Sequence, residues 1–180
     1  MATIALKGVH PNMIAFLLLI QHSEGTDKYP NPYQVGFGGY IFTSFKDHPR
    51  KAVYVPSIRQ YTSAAGAYQF MAVTSKTRLN TWDIVKEKLN LPDFSPENQD
   101  RAAIERIKFR GGYEAVINGD IKEAISKCSK EWASLPGANY PGQSMRSLSS
   151  LLAFYAKVIP VGGVLLSAAE LTNLVKKKEL

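Results

Sequence analysis

The first strong pattern in the chain is an unbroken apolar run, Met13-Ile14-Ala15-Phe16-Leu17-Leu18-Leu19-Ile20, that follows Pro11 and precedes Gly25. Proline suits the opening helical position because its φ is preset, and glycine suits the left-handed residue that closes a helix. A helix apolar on every face must be wrapped by the rest of its domain. The pattern therefore predicts a central core helix from Pro11 to about Gly25, with His22, Ser23 and Glu24 at its carboxyl end. The run is too short to cross a bilayer, has no cationic flank at its start and has no small-residue cleavage pattern after it, so it reads as buried helix and not as a signal peptide.

From Tyr29 to Tyr61 the chain turns to Gly, Pro, Tyr, Phe and Val. β-prone pieces at Tyr33 to Val35 and Tyr40 to Phe42, separated by Gly36, Gly38 and Gly39, predict a small sheet or hairpin with long loops. Helical patterns then return near 67 to 90, 97 to 110, 120 to 131 and 144 to 158. Ser95-Pro96-Glu97 reads as an N-cap followed by a first-position proline, and Asp120 with Glu123 resembles a capping box. After Ile159, Pro160-Val161-Gly162-Gly163 makes a turn, and an amphipathic helix follows with Val164, Ala168, Leu171 and Val175 on one face and Lys176-Lys177-Lys178 near its end. The expectation is one domain over 1–159 and a C-terminal helical extension over 160–180 packed on it.

Composition narrows the partners. With 180 residues, 45% hydrophobic and 21% charged, the chain supports one globular core. Its net charge of +7 favours polyanions, among them nucleic acid, anionic lipid and the acidic bacterial wall, without choosing one. Cys128 has no second cysteine to pair with, so folding needs no oxidising compartment. His10, His22 and His48 are too scattered for a zinc motif, so no metal is expected. Gly36-Phe37-Gly38-Gly39 lacks the lysine and the strand-to-helix setting of a phosphate loop, no dinucleotide fingerprint is present, and Ser63 and Ser134 are not in a nucleophile elbow. No cofactor is expected.

Glu24 is the residue whose position has a chemical consequence. A carboxylate at the carboxyl end of a helix is disfavoured by the macrodipole, by about 0.3 to 1 kcal/mol. An apolar cleft would have to supply most of any shift toward the neutral acid. A carboxylic acid still protonated near pH 6 could donate to a glycosidic oxygen. On its own, the position better suits a solvated or capping glutamate.

Ser23-Glu24-Gly25-Thr26-Asp27, Gly38-Gly39 with Phe42-Thr43, Asp47-His48-Pro49-Arg50-Lys51, Ala65-Gly66-Ala67-Tyr68-Gln69, Asp93-Phe94-Ser95-Pro96, Gln99-Asp100, Arg110-Gly111, Gly119-Asp120-Ile121 and Trp132-Ala133-Ser134-Leu135-Pro136-Gly137-Ala138 follow one another in an order that resembles the endolysins of the bacteriophage lambda type, which are lytic transglycosylases. The resemblance runs from about Phe16 to Tyr155. It implies an α+β, mainly α, lysozyme-like fold with a helical body, a small β region and a glycan-binding cleft between two lobes, and it assigns the catalytic acid to Glu24. The substrate it implies is the glycan strand of peptidoglycan, cut between N-acetylmuramic acid (MurNAc) and N-acetylglucosamine (GlcNAc) to leave a 1,6-anhydro end. By the same resemblance Ser63, Tyr68, Gln69, Trp132 and Tyr140 belong to substrate binding. Asp47, His48 and Arg50 are left between a cleft rim and a local turn network, and Trp132 between a sugar platform and a core tryptophan.

The carboxylate inventory adds to this independently. Between Asp27 and Asp47 there is no Asp or Glu, so the β region expected to face Glu24 lacks the second carboxylate that a glycoside hydrolase usually needs. Two rivals remain: a hydrolytic muramidase on the same fold, with Asp27 or Asp47 as second carboxylate, and an inactive glycan-binding module. Position 34 is Gln where the lambda-type relatives carry aspartate. The resemblance further implies a monomer made in the host cytoplasm and released to the wall through a separate lysis protein, with no nucleic-acid partner and no stable membrane insertion.

Overall fold

Helix α1 (Pro11–Glu24) is the axis of the protein in the computed structural model, which describes residues 4–140 and 144–159. Met13, Ala15, Phe16, Leu17, Leu19 and Ile20 are all buried, and each large side chain among them contributes roughly 1.5 to 3 kcal/mol of transfer free energy. The helix ends as its sequence predicts: Gly25 takes φ 75° and its N–H closes on the carbonyls of Gln21 and His22.

Around α1 pack α3 (Pro96–Phe109), α4 (Tyr113–Asn118) and α6 (Leu148–Val158), while α2 (Thr81–Leu89) lies against α3 and α5 (Ile121–Cys128) against α4 and α6. A two-stranded antiparallel sheet pairs β1 (Val53–Val55) with β2 (Gln60–Thr62), Tyr54 opposite Tyr61. The architecture is mainly helical with a small β region, as expected. Among the described residues, no helix is long and apolar enough to cross a membrane.

Several boundaries differ from those the sequence predicts. The apolar stretch after residue 66 is not the start of a long helix, because Ala65 and Phe70 bond to each other through their backbones and Ser63 Oγ both donates to the Ala72 carbonyl and accepts its N–H. Helix α2 begins only at Thr81. The β-prone pieces near Tyr33 and Tyr40 make a single bridge to each other, Val35 to Ile41, and the ladder forms downstream, between Val53–Val55 and Gln60–Thr62. Ser95 and Asp120 occupy N-cap positions, with Pro96 at the first turn of α3, but neither side chain makes a capping bond. Helices α5 and α6 are shorter than predicted, and α4 has no counterpart among the predicted helices. The amphipathic extension expected over 160–180 lies outside the described residues.

The loop from 64 to 70 is locked to α3 by Gln99, whose amide accepts from the Ala67 N–H and donates to the carbonyls of Tyr33 and Phe94. Gly66 sits above it at φ 81°, where an added Cβ would collide with the Gln99 side chain and the Phe94 ring. Gly66→Ala is therefore expected to cost about 2 to 4 kcal/mol, read as a fall of several degrees in thermal denaturation. An unchanged melting temperature would show that this close approach is unimportant.

Candidate active site

Beside the carboxyl end of α1 opens a cleft of about 710 Å³, with Glu24, Trp132 and Ser134 on one side and residues of the β region, among them Phe37, Tyr61 and Gln69, on the other. Its position follows from the sequence: the apolar run holds α1 in the core, Gly25 stops it, and Glu24 emerges at the stop.

Glu24 as a residue is only partly buried, since its flank faces the cleft, yet its carboxyl group is desolvated. Burial pushes the carboxyl up to about 7 from an ordinary 4.5, against the opposing pull of the Ser134 hydroxyl and backbone N–H and of the Arg146 guanidinium. Ser134 Oγ lies 2.6 Å from Glu24 Oε1 and 2.9 Å from Ser23 Oγ. Arg146 is tied to the same corner, its N–H donating to the Ser134 carbonyl and its Nε to the Ser23 carbonyl at 3.4 Å. A cation at these last carbonyls also offsets the helix dipole. Near neutral pH Glu24 thus divides between acid and carboxylate, which is the condition for a group that gives a proton and later takes one.

A second carboxylate does line the cleft. Glu131 accepts from Arg106 Nε on Oε1 at 2.7 Å, and from Arg106 Nη2 and Arg110 Nε on Oε2, both at 2.8 Å. Its side chain is 5% exposed. Both oxygens are engaged by two guanidinium groups, which stabilise the anion and withhold it from attacking a sugar or activating a water. Among the described residues lining the cleft, Glu24 is the carboxyl group outside any ion pair.

The other predicted residues divide between wall and support. Trp132 lines the cleft but is 4% exposed, and its Nε1 donates to the Tyr68 carbonyl. Gln69 reaches the cleft with φ 50°, its amide nitrogen donating to the carbonyls of Val35 and Gly66. Tyr140 is exposed, under the Lys130 ammonium, and its hydroxyl donates to the Lys130 carbonyl. Ser63 and Tyr68, by contrast, are fully buried. The Tyr68 ring cannot touch a sugar: its hydroxyl donates to Asp100 at 2.6 Å, and the residue supports the cleft floor through its bond from Trp132. Ser63 likewise serves the backbone of Ala72.

Asp47, His48 and Arg50 form a local network away from the cleft. Arg50 bridges Asp47 and Asp83, and Asp47 also accepts from Lys86 and Trp82. Although burial opposes it, these donors hold the Asp47 carboxyl well below the usual carboxylate range. Burial pushes His48 down to about 4, so its ring is neutral at pH 7, donating from Nε2 to the Phe70 carbonyl and accepting the Arg50 N–H at Nδ1. Asp27 accepts from His22 Nδ1 at 2.7 Å and does not line the cleft, and Gln34 accepts from Asn31. Neither Asp27 nor Asp47 stands across the cleft as a second catalytic carboxylate. Among the described residues no His, Cys, Asp or Glu cluster is arranged to hold a metal.

Sequence reasoning missed Glu131, Arg146 and the exposed aromatics Phe37 and Tyr61. Ser134 enters it only as part of a motif and as a serine outside any nucleophile elbow, since its partner lies 110 residues away. A mainly helical body, a small β region and a lone raised carboxylic acid in the cleft between them define a lysozyme-like enzyme. A sequence profile described as Endolysin matches residues 14–164, and the chain belongs to that family. It is 41% identical over 145 residues to the endolysin of Escherichia phage lambda, covering 77% of this chain and 85% of that one. It is 39% identical over 156 residues to the endolysin of Escherichia phage P2, covering 79% and 90%. Bacteriophage lambda lysozyme complexed with a chitohexasaccharide superposes with a TM-score of 0.75 at 37% identity, covering 89% of this chain and all of that one. A second lambda lysozyme structure gives 0.72 at 36%, with the same coverage.

Proposed function

We propose that the protein is a peptidoglycan lytic transglycosylase in which Glu24 serves as both acid and base. The observation that carries this reading is a single carboxylic acid, raised to about 7, in a cleft whose other carboxylate is spent on two arginines. Protonated Glu24 donates to the oxygen between MurNAc and GlcNAc, and the bond breaks through an oxocarbenium-like state to release the GlcNAc-side alcohol. The Glu24 carboxylate then takes the proton of the MurNAc 6-hydroxyl as that oxygen bonds to the anomeric carbon. The ring closes to the 1,6-anhydro sugar, the acid is regenerated and no water is consumed. The attack gains from the high effective concentration of a tethered nucleophile, so no second carboxylate is required.

The chitohexasaccharide in the lambda lysozyme complex supports glycan binding in the corresponding cleft here. Phe37, Tyr61 and Tyr140, exposed along it, offer faces for sugar rings. The net charge of +7 favours retention on an acidic wall in a salt-sensitive way.

Mass spectrometry of purified peptidoglycan digested by the protein tests the reaction. Muropeptides ending in anhydro-MurNAc are expected, each lighter by one water than the reducing-end product. Reducing ends throughout would assign the enzyme to the hydrolases. Activity on the same substrate at constant ionic strength is expected to decline as pH rises through about 7, because only the protonated acid can start the reaction.

A further inference from the structure

The hydroxyl groups behind Glu24 form a chain with a definite end. Ser23 Oγ donates to the Ile20 carbonyl at 2.9 Å, so its proton is committed within α1. Ser134 Oγ stands within bonding distance of both Ser23 Oγ and Glu24 Oε1, at 2.9 and 2.6 Å, but it has one hydrogen to give. Which neighbour receives it depends on the acid. When Glu24 is ionised, Ser134 donates to the carboxylate. When Glu24 is protonated and donates to Ser134, that bond would face a second hydrogen unless Ser134 turns its own toward Ser23, where an acceptor lone pair waits. Ser23 is buried, 4% exposed, so bulk water does not readily take its place.

We infer that Ser134 is a positioning residue for both forms of the catalytic acid, a rotor whose hydrogen points to Glu24 in one protonation state and to Ser23 in the other. The inference rests on Glu24 being the acid and base of the proposed reaction. In the free protein both forms then find the carboxyl held at the same place, because the change of state requires rotation of one hydroxyl and no movement of heavy atoms; to protonate the glycosidic oxygen the acid carries its proton on the other carboxyl oxygen, and Ser134 turns its hydrogen back to Oε1. The backbone supports this: the Arg146 N–H fixes the Ser134 carbonyl at 2.8 Å. The charged groups around the pair are Arg146, on the segment entering α6, His22 and Asp27, on and just after α1, and Arg106, Arg110, Lys130 and Glu131 along the cleft.

The rotor predicts opposite signs for two one-atom deletions. Ser134→Ala removes the donor to the carboxylate, so the titration midpoint of Glu24 rises, by about one pH unit for a hydrogen bond to a charged group. Ser23→Ala removes only the acceptor that serves the protonated state, so the midpoint falls, by about half a unit for a neutral hydrogen bond. The double variant behaves as Ser134→Ala alone, since Ser23 acts only through Ser134.

Titration of the Glu24 carboxyl carbon by NMR in the free full-length protein reads all three, with Glu24→Gln used to assign the signal. Shifts of the same sign in the two single variants, or no downward shift in Ser23→Ala, would overturn the rotor. Should Ser134→Ala fold poorly, Ser23→Ala decides alone, because a hydroxyl that merely solvated the anion would shift the midpoint upward on removal. The alkaline limb of activity on purified peptidoglycan should move with these midpoints. Midpoints that move as expected while the activity profile stays put would retain the rotor and reject Glu24 as the acid; the reverse would reject the rotor alone.

Discussion

Glu24→Gln is expected to reduce wall clearing by at least about 10³-fold while making the folded protein more stable at pH 8. The loss follows from the proposed reaction, which asks one group to act as acid in bond cleavage and as base in ring closure, each worth about 10² to 10⁴ in rate. A glutamine amide can do neither. The gain in stability follows from the cause of the raised proton affinity. Glu24 holds its proton more tightly in the folded protein, to about 7, than a glutamate does at its ordinary 4.5. The folded state is therefore favoured at low pH, loses ground as pH rises from about 4.5 to about 7, and carries the whole penalty above that.

A shift of that size corresponds to roughly 3 kcal/mol, less whatever the partly open flank of the residue recovers from solvent. Glutamine has the same shape, keeps an oxygen for the Ser134 hydroxyl and carries no charge to desolvate. The variant should melt several degrees above the parent at pH 8 and close to it at pH 4. Clearing assays and thermal scans at the two pH values check both halves. Substantial activity in Glu24→Gln removes Glu24 from the chemistry, and no gain in stability at pH 8 shows that the carboxyl is better solvated than its surroundings suggest.

Position and surroundings of this acid are legible in the sequence to different degrees. The apolar run and Gly25 fix where α1 begins and ends, because burial on all faces and a left-handed cap are local properties of the chain. The resemblance places Glu24, Gln69, Trp132 and Tyr140 near one another without stating exposure, which is why it puts Tyr68 in the cleft although its ring belongs to the core. The stretch after Gly66 misleads for a related reason: its apolar side chains satisfy a helical pattern, while its backbone is claimed by Ser63 and Ala65. Glu131 could not be found by looking for carboxylates in the β region, since it enters from the far wall. Nor could its neutralisation be seen, because Arg106 and Arg110 precede it by 25 and 21 residues. The absence of a carboxylate between Asp27 and Asp47 is plain in the sequence, yet the stronger argument against a second catalytic acid needs three-dimensional pairing.

Asp100→Asn is expected to destabilise the protein by about 3 to 5 kcal/mol, although the two side chains have the same shape. Asp100 is fully buried and gathers four donors: the hydroxyls of Tyr33 and Tyr68 on Oδ1 at 2.8 and 2.6 Å, and the N–H groups of Ala5 and Leu6 on Oδ2, both at 2.8 Å. Burial pushes its carboxyl above the ordinary range even against these bonds, so replacing it with a neutral group recovers some desolvation. An amide nevertheless has one acceptor end. With its nitrogen toward Ala5 and Leu6, donors face donors; turned round, it leaves both tyrosine hydroxyls without the oxygen that takes their protons. Each buried group stranded in this way costs about 1 to 3 kcal/mol; either orientation sets the amide nitrogen against two donors, of which the Ala5 N–H keeps a second acceptor in the Tyr33 hydroxyl at 3.1 Å. At about 2 to 4 °C per kcal/mol for a chain of this size, the melting temperature should fall by about 10 °C. Because Asp100 ties the segment before α1 to α3 and to Tyr68, whose carbonyl holds Trp132, the damage is to the support of the cleft and not to its surface. Activity measured well below the transition should therefore remain close to that of the parent. Thermal denaturation read beside activity at low temperature separates the two effects: an unchanged melting point would mean water reaches this cluster, and early loss of activity would mean Tyr68 acts on substrate after all.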